Sequence, residues 1–72
     1  MTVIKQYRME ENKVGVTMHV KFFTQSGEAI EGALPEEKLA RSVSYPANDR
    51  NKEDALVNSF KKRLEMNGFK KA

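Results

Sequence analysis

The sequence predicts an α+β fold. A two-layer domain is expected, in which an antiparallel sheet of three to four strands, laid out as a β-hairpin meander, packs against one C-terminal α-helix. Three observations lead there: residues 13–25 alternate apolar and polar with period two, residues 2–9 do so more loosely, and residues 52–67 carry an apolar stripe of helical period. With 72 residues there is room for one domain, 1–72, and 39% apolar residues supply one small core.

The strand over about 13–24 is the most sharply patterned. Val14, Val16, Met18, Val20 and Phe22 fall on one side, and Lys13, Gly15, Thr17, His19, Lys21 and Phe23 on the other, as in a half-buried strand. Residues 2–9 read as its partner. A tight turn at Glu11–Asn12 sets Glu10 opposite Lys13, Tyr7 opposite Val16 and Val3 opposite Val20, with apolar side chains meeting on one face. Lys5 then falls on the inner face, where its apolar stem can snorkel at the sheet edge.

For the second turn, a three-residue loop Gln25–Ser26–Gly27 is expected. It puts Ile30 opposite Phe22 and keeps Glu31 outside, facing Lys21; a two-residue loop buries that carboxylate. The third strand is then 28–34. Pro35–Lys38 reads as one helical turn, with proline first and acids at its positive end. Residues 39–45 offer a possible fourth strand, interrupted by Arg41 and ended by Pro46.

The helix is expected over about 52–67, roughly 24 Å long. Asn51 is its N-cap, with Asp54 in the place of a capping-box partner. Leu56, Val57, Phe60 and Leu64 form the stripe, which must lie on the Val14-to-Phe22 face. Gly68 closes the helix as the C′ residue, with Phe69 making the accompanying apolar contact.

Composition narrows the chemistry. The chain has no cysteine, one histidine and no tryptophan, so disulfides and thiolate chemistry are out. One histidine among scattered acids is no metal-ligand set, and His19 has no serine–carboxylate partnership in the expected register. No phosphate-loop, dinucleotide or zinc-protease motif occurs. Neither a catalytic residue nor a cofactor-binding or metal site is assigned, and no enzyme is expected. With no membrane-length apolar run and no leader at Met1, the chain is read as a complete cytoplasmic protein.

Charge is uneven. Residues 61–72 hold Lys61, Lys62, Arg63, Lys70 and Lys71 against Glu65, a net +4, whereas residues 24–60 are net −3. The five C-terminal cations are the candidate nucleic-acid-binding residues, helped by basic residues of the N-terminal hairpin. Their plainer role is helix electrostatics, with Lys61 four residues before Glu65. The outer sheet face supplies the other candidate surface. Ile4, Arg8, His19, Lys21 and Phe23 make a mixed face with a single aromatic, better suited to a protein partner than to stacked bases. An open sheet edge along 2–9 or 28–34 also permits a homodimer. The leading expectation is a small non-enzymatic regulatory protein that binds a protein through its outer face or an edge, with nucleic-acid binding as the alternative.

Three strands followed by a basic amphipathic helix are similar in layout to AP2-like and integrase-arm DNA-binding domains. The layout also resembles small phage-encoded inhibitors of host proteins. The likeness is one of element order, which implies a layout and, by itself, no function.

Overall fold

A computed structural model describes residues 2–72. Strands β1 (Thr2–Val14) and β2 (Thr17–Ala29) form one long antiparallel hairpin. Strand β3 (Glu37–Pro46) adds antiparallel to β2, and β4 (Lys70–Lys71) adds parallel to β1 at Gln6–Tyr7, giving the order β3-β2-β1-β4. Helix α1 comprises an α-helical turn Arg50–Glu53, a π-helical segment Asp54–Asn58 and an α-helical stretch Ser59–Met66. It packs on the inner face of the sheet. The predicted α+β two-layer fold is what the chain adopts, with a short parallel strand added to the antiparallel meander.

The hairpin turns at Gly15–Val16 rather than at Glu11–Asn12. Gly15 has φ 61° and Val16 is not left-handed, the signature of a two-residue type II′ loop with glycine in its first central position. Glu11–Asn12 could make a two-residue hairpin loop only by forcing a non-glycine residue to positive φ. Tyr7 therefore faces Thr24, eight positions beyond the expected Val16. Because that slip is an even number of residues, the side chains of 2–9 and 17–24 keep their predicted faces, whereas Lys13 and Val14, now part of β1 opposite Met18 and Thr17, exchange theirs.

The third strand is where sequence and structure part. Residues 25–29 continue β2, and 28–34 is no separate strand. A tight turn follows, in which the Ala33 amide donates to the Ile30 carbonyl at 2.9 Å and both Glu31 (φ 52°) and Gly32 (φ 80°) are left-handed. Glu31 thus sits at an exposed turn, not opposite Lys21. The expected helical turn at 35–38 is absent, since Glu37 and Lys38 open β3. Arg41 does not interrupt this strand. It pairs with Phe22 while Leu39 pairs with Phe23, leaving Ala40 as the extra residue of a β-bulge. Arg41 alternates onto the inner face with Val43 and Tyr45, and the bulge sends Leu39 to the outer one.

The core is Tyr7, Val20, Phe22, Val43, Tyr45, Val57 and Leu64, with Phe22 and Phe60 meeting edge-to-face at 4.8 Å. The molecule measures 44 × 24 × 14 Å, so a helix of roughly 25 Å covers only the middle of the sheet. Val14 and Val16, expected beneath the helix, lie at the hairpin tip and are 57% and 80% exposed.

The helix begins two residues earlier than predicted. Asp49, not Asn51, is the N-cap, and its carboxylate accepts from the Lys52 amide at 3.1 Å. Asp54 instead accepts a side-chain hydrogen bond from Asn58. The C-terminus follows the prediction: Gly68 (φ 90°) donates to the Glu65 carbonyl and Phe69 to the Leu64 carbonyl, both at 3.0 Å, the paired bonds of a Schellman motif. Lys5 finds a use for its inner-face position. Its ammonium donates to the Asn67 carbonyl at the negative helix end and lies 4.9 Å from the Phe69 ring centre.

Candidate functional site

The outer face of the sheet carries no helix, and strand pairing arranges it in rungs. Ile4 is beside Gly27; Gln6, Gln25 and Glu37 form the next rung; then come Arg8, Phe23 and Leu39, then Glu10, Lys21 and Ser42, and then Asn12, His19 and Ser44. All five residues singled out from the sequence, Ile4, Arg8, His19, Lys21 and Phe23, lie on this face. Their neighbours differ from those expected. His19 is far along the strands from Ile4, and Lys21 is flanked by Glu10 and Ser42.

The central rung has the most developed geometry. The Arg8 guanidinium stands 4.6 Å from the centre of the Phe23 ring. It bonds Glu10 at 2.6 Å on its own strand and reaches across β2 to Glu37, with Nε donating at 3.3 Å and Nη2 at 2.5 Å. This is a two-pronged arginine–carboxylate contact, the stronger kind of ion pair. It holds the Glu37 carboxyl below the usual carboxylate range and strengthens the hold of Arg8 on its proton. Phe23 is half-buried while Leu39, on its other side, is 56% exposed. At the neighbouring end Pro35 lies 3.7 Å from where a Gly27 side chain would begin, filling the outer surface that the glycine leaves open. Two cations, Arg8 and Lys21, thus meet two acids, Glu10 and Glu37, on these rungs.

Further toward the tip, His19 Nδ1 is 2.9 Å from Ser44 Oγ. His19 also edges a cleft of about 340 Å³ that Glu10, Asn12, Lys21 and Ser42 line with it. The sequence register offered His19 no serine; the true register does. Hydrogen bonds from His19 to a carboxylate are not among those formed by the described residues.

The five C-terminal cations do not converge on one patch. Lys70 and Lys71 form β4 at the β1 edge of the sheet. Arg63 lies on the opposite flank of the helix, where it lines a cleft with Arg41. Lys61 is half-buried and Lys62 exposed. The expected Lys61–Glu65 pair does not form: Glu65 instead accepts from the Tyr7 hydroxyl at 3.1 Å. Burial first, and this carboxylate second, push the Tyr7 phenol above its ordinary value. Tyr45 is raised mainly by burial, with smaller effects from Glu53 and Glu11. Among the described residues the only ion pairs are the two made by Arg8.

The open edges have also moved. β4 covers part of β1, and β3 is the other edge of the sheet. No described helix is long and apolar enough to cross a membrane. Compared with known proteins, the chain matches no family model, no curated protein and no solved structure.

Sequence reasoning missed Glu37, Leu39 and Arg41. Glu37 and Leu39 lie where the sequence pattern suggests a turn and a late strand, and Arg41 reads as an interruption of that strand. The signal for Arg41 was present in the odd-position series Arg41, Val43, Tyr45, which is period two continued to a strand position beside the helix.

Proposed function

We propose that this chain is a small non-enzymatic accessory or regulatory protein of the cytoplasm that binds a protein partner through the outer face of its sheet. The Arg8–Phe23–Leu39 rung is the centre of contact, with Ile4 and Pro35 on one side and Lys21 and His19 on the other. The observation that carries this reading is the Arg8 arrangement. The guanidinium covers one side of the sole aromatic ring on these rungs and is itself matched by Glu37 and Glu10. A ring so covered is a poor stacking platform for a base, and a face with balanced charge gives a polyanion little attraction. An aromatic and an arginine at the centre, an exposed leucine beside them and polar groups around them are what protein interfaces use as anchors and rim.

The test is capture of partners from a lysate on the immobilised chain, with variants run in parallel. Leu39→Glu places a carboxylate on the exposed apolar centre, and Phe23→Ala with Arg8→Glu dismantles the rung. Both are expected to lose the proteins retained by the wild type, while Lys62→Glu on the helix retains them. If the captured set is the same for all variants, with far-ultraviolet circular dichroism unchanged, the outer face is not the binding surface.

A further inference from the structure

A second surface lies on the other side of the molecule and is independent of the partner-binding face. Helix α1 and the edge strand β3 enclose a mostly polar cleft of about 220 Å³ lined by Arg41, Arg63 and Ser59 together with Ala55, Leu56 and Phe60. We propose that this seam binds the phosphate backbone of a nucleic acid, with Arg41 and Arg63 as its principal contacts.

Five features converge there. Arg41 and Arg63 line one small cleft, no carboxylate lines it, and neither arginine forms an ion pair with a described residue. Two cations brought together without an acid repel one another, and a bound anion removes that cost. Arg41 is already oriented: its guanidinium stands 5.3 Å from the centre of the Phe60 ring, so less freedom is lost when it engages a ligand. The Ser59 hydroxyl adds a neutral donor at the same cleft.

The backbone of the helix supports the same location. Ala55 and Leu56 belong to the π-helical segment Asp54–Asn58, and the Ser59 amide closes it by bonding the Asp54 carbonyl. Such segments are rare and concentrate at functional sites.

The choice of phosphate over carboxylate, and of a polymer over a single anion, follows from what surrounds the cleft. Two guanidinium forks and a hydroxyl present more donors than one carboxylate can accept, whereas a phosphate group offers oxygens to both forks. Cations also continue along the seam. Lys38 pairs with Thr24 on the same inner face of β3, next along the strand from Arg41. A row of cations fits a repeated phosphate. Phe60 is covered by Arg41, so bases find no free ring, and binding is expected to be indifferent to sequence.

The experiment is a fluorescence-anisotropy titration of the full chain against a labelled random-sequence 20-base-pair DNA duplex between 50 and 200 mM salt. The wild type is expected to bind with an affinity that falls steeply with salt. Arg41→Gln with Arg63→Gln should weaken binding on the order of tenfold and flatten the log–log salt slope by about 1.8, two phosphate contacts' worth. Arg41→Lys with Arg63→Lys should recover most of that slope. The control is Lys70→Gln with Lys71→Gln at the opposite sheet edge. If it loses as much as the arginine pair, or if the arginine pair loses nothing, the seam is not the site. No binding of the wild type at 50 mM salt also overturns the proposal. Poly-glutamate binding as tightly as the duplex removes the phosphate assignment, and inorganic phosphate binding where the duplex does not removes the polymer. Amide shift mapping on the wild type does not depend on how the variants fold: duplex-induced shifts must centre on Arg41, Ser59 and Arg63, and shifts centred on Phe23 and Leu39 refute the seam.

Discussion

Arg8 and Arg41 occupy parallel situations on opposite faces of one sheet. Each stands over a phenylalanine, Arg8 at 4.6 Å from Phe23 and Arg41 at 5.3 Å from Phe60. The surroundings separate them. Strand pairing brings Glu37 across β2 to Arg8 and places Glu10 two residues along its own strand, whereas the cleft beside Arg41 holds a second arginine and no acid. The same stacked pair is thus satisfied on one face and unsatisfied on the other. Sequence composition, a net +3 overall, hides this contrast, because what matters is which cations the register supplies with partners.

The change with the largest expected effect is Phe22→Ala, which removes the support beneath the Arg41–Phe60 pair. Phe22 is fully buried, faces Arg41 across the ladder and meets Phe60 edge-to-face. Its truncation should cost about 3–5 kcal/mol, most of what a domain of this size has to spare. Urea unfolding followed by circular dichroism checks it. A loss below about 1 kcal/mol means that Phe22 is not the support of the Arg41–Phe60 pair.

A second change aims to make the two arginines alike. Glu10→Gln with Glu37→Gln strips Arg8 of both carboxylates while leaving the strands their shape. The outer face then gains a free guanidinium, and its attraction for duplex DNA should rise, with the salt slope steeper than wild type by about 0.9 if one new phosphate contact forms. An unchanged slope in the anisotropy titration would show that pairing is not what distinguishes the faces.

That contrast was only partly legible in the sequence, for a physical reason. Features set by neighbours along the chain could be read: the alternation that divides β2 into faces, the helical stripe, the Gly68 cap with Phe69 behind it. Register could not. A slip of eight positions leaves every inner residue of 2–9 inside, so the alternation there cannot detect it, and the decision rests on the backbone freedom of Gly15. The third strand was lost in the same way. Glu31–Gly32 makes a tight turn within the segment taken for a strand, which shifts the real β3 to 37–46. Once those two registers are fixed, Glu37 falls beside Arg8 and Arg41 beside Phe60. Neither meeting follows from spacing, since 29 residues separate the first pair. The candidate residues of the outer face follow from parity alone, whereas Leu39 needed the bulge at Ala40 and the seam needed the packing of the helix beside β3, neither of which the sequence pattern carries.

The smallest expected effect concerns acid, and it isolates one half of the comparison. Glu37 has its carboxyl held below the ordinary value of 4.5, chiefly by the hydrogen bond from Arg8. A carboxyl whose folded value is depressed releases its proton more readily in the native chain than in the unfolded one. Its contribution to stability is complete above about pH 4.5 and drains away as pH falls through the lower folded value. Wild type should therefore be slightly more stable than Glu37→Gln at pH 6, and the two unfolding curves should converge at a pH where Glu37 is protonated in both states. The exposed position and the screening of surface charge keep the difference small, and added salt should shrink it further. Arg41→Gln, measured in the same series, should show no comparable pH-dependent loss, because no carboxylate lines its cleft. If Arg41→Gln instead loses stability on the same acid profile as Glu37→Gln, Arg41 has an acidic partner and the asymmetry between the two faces fails.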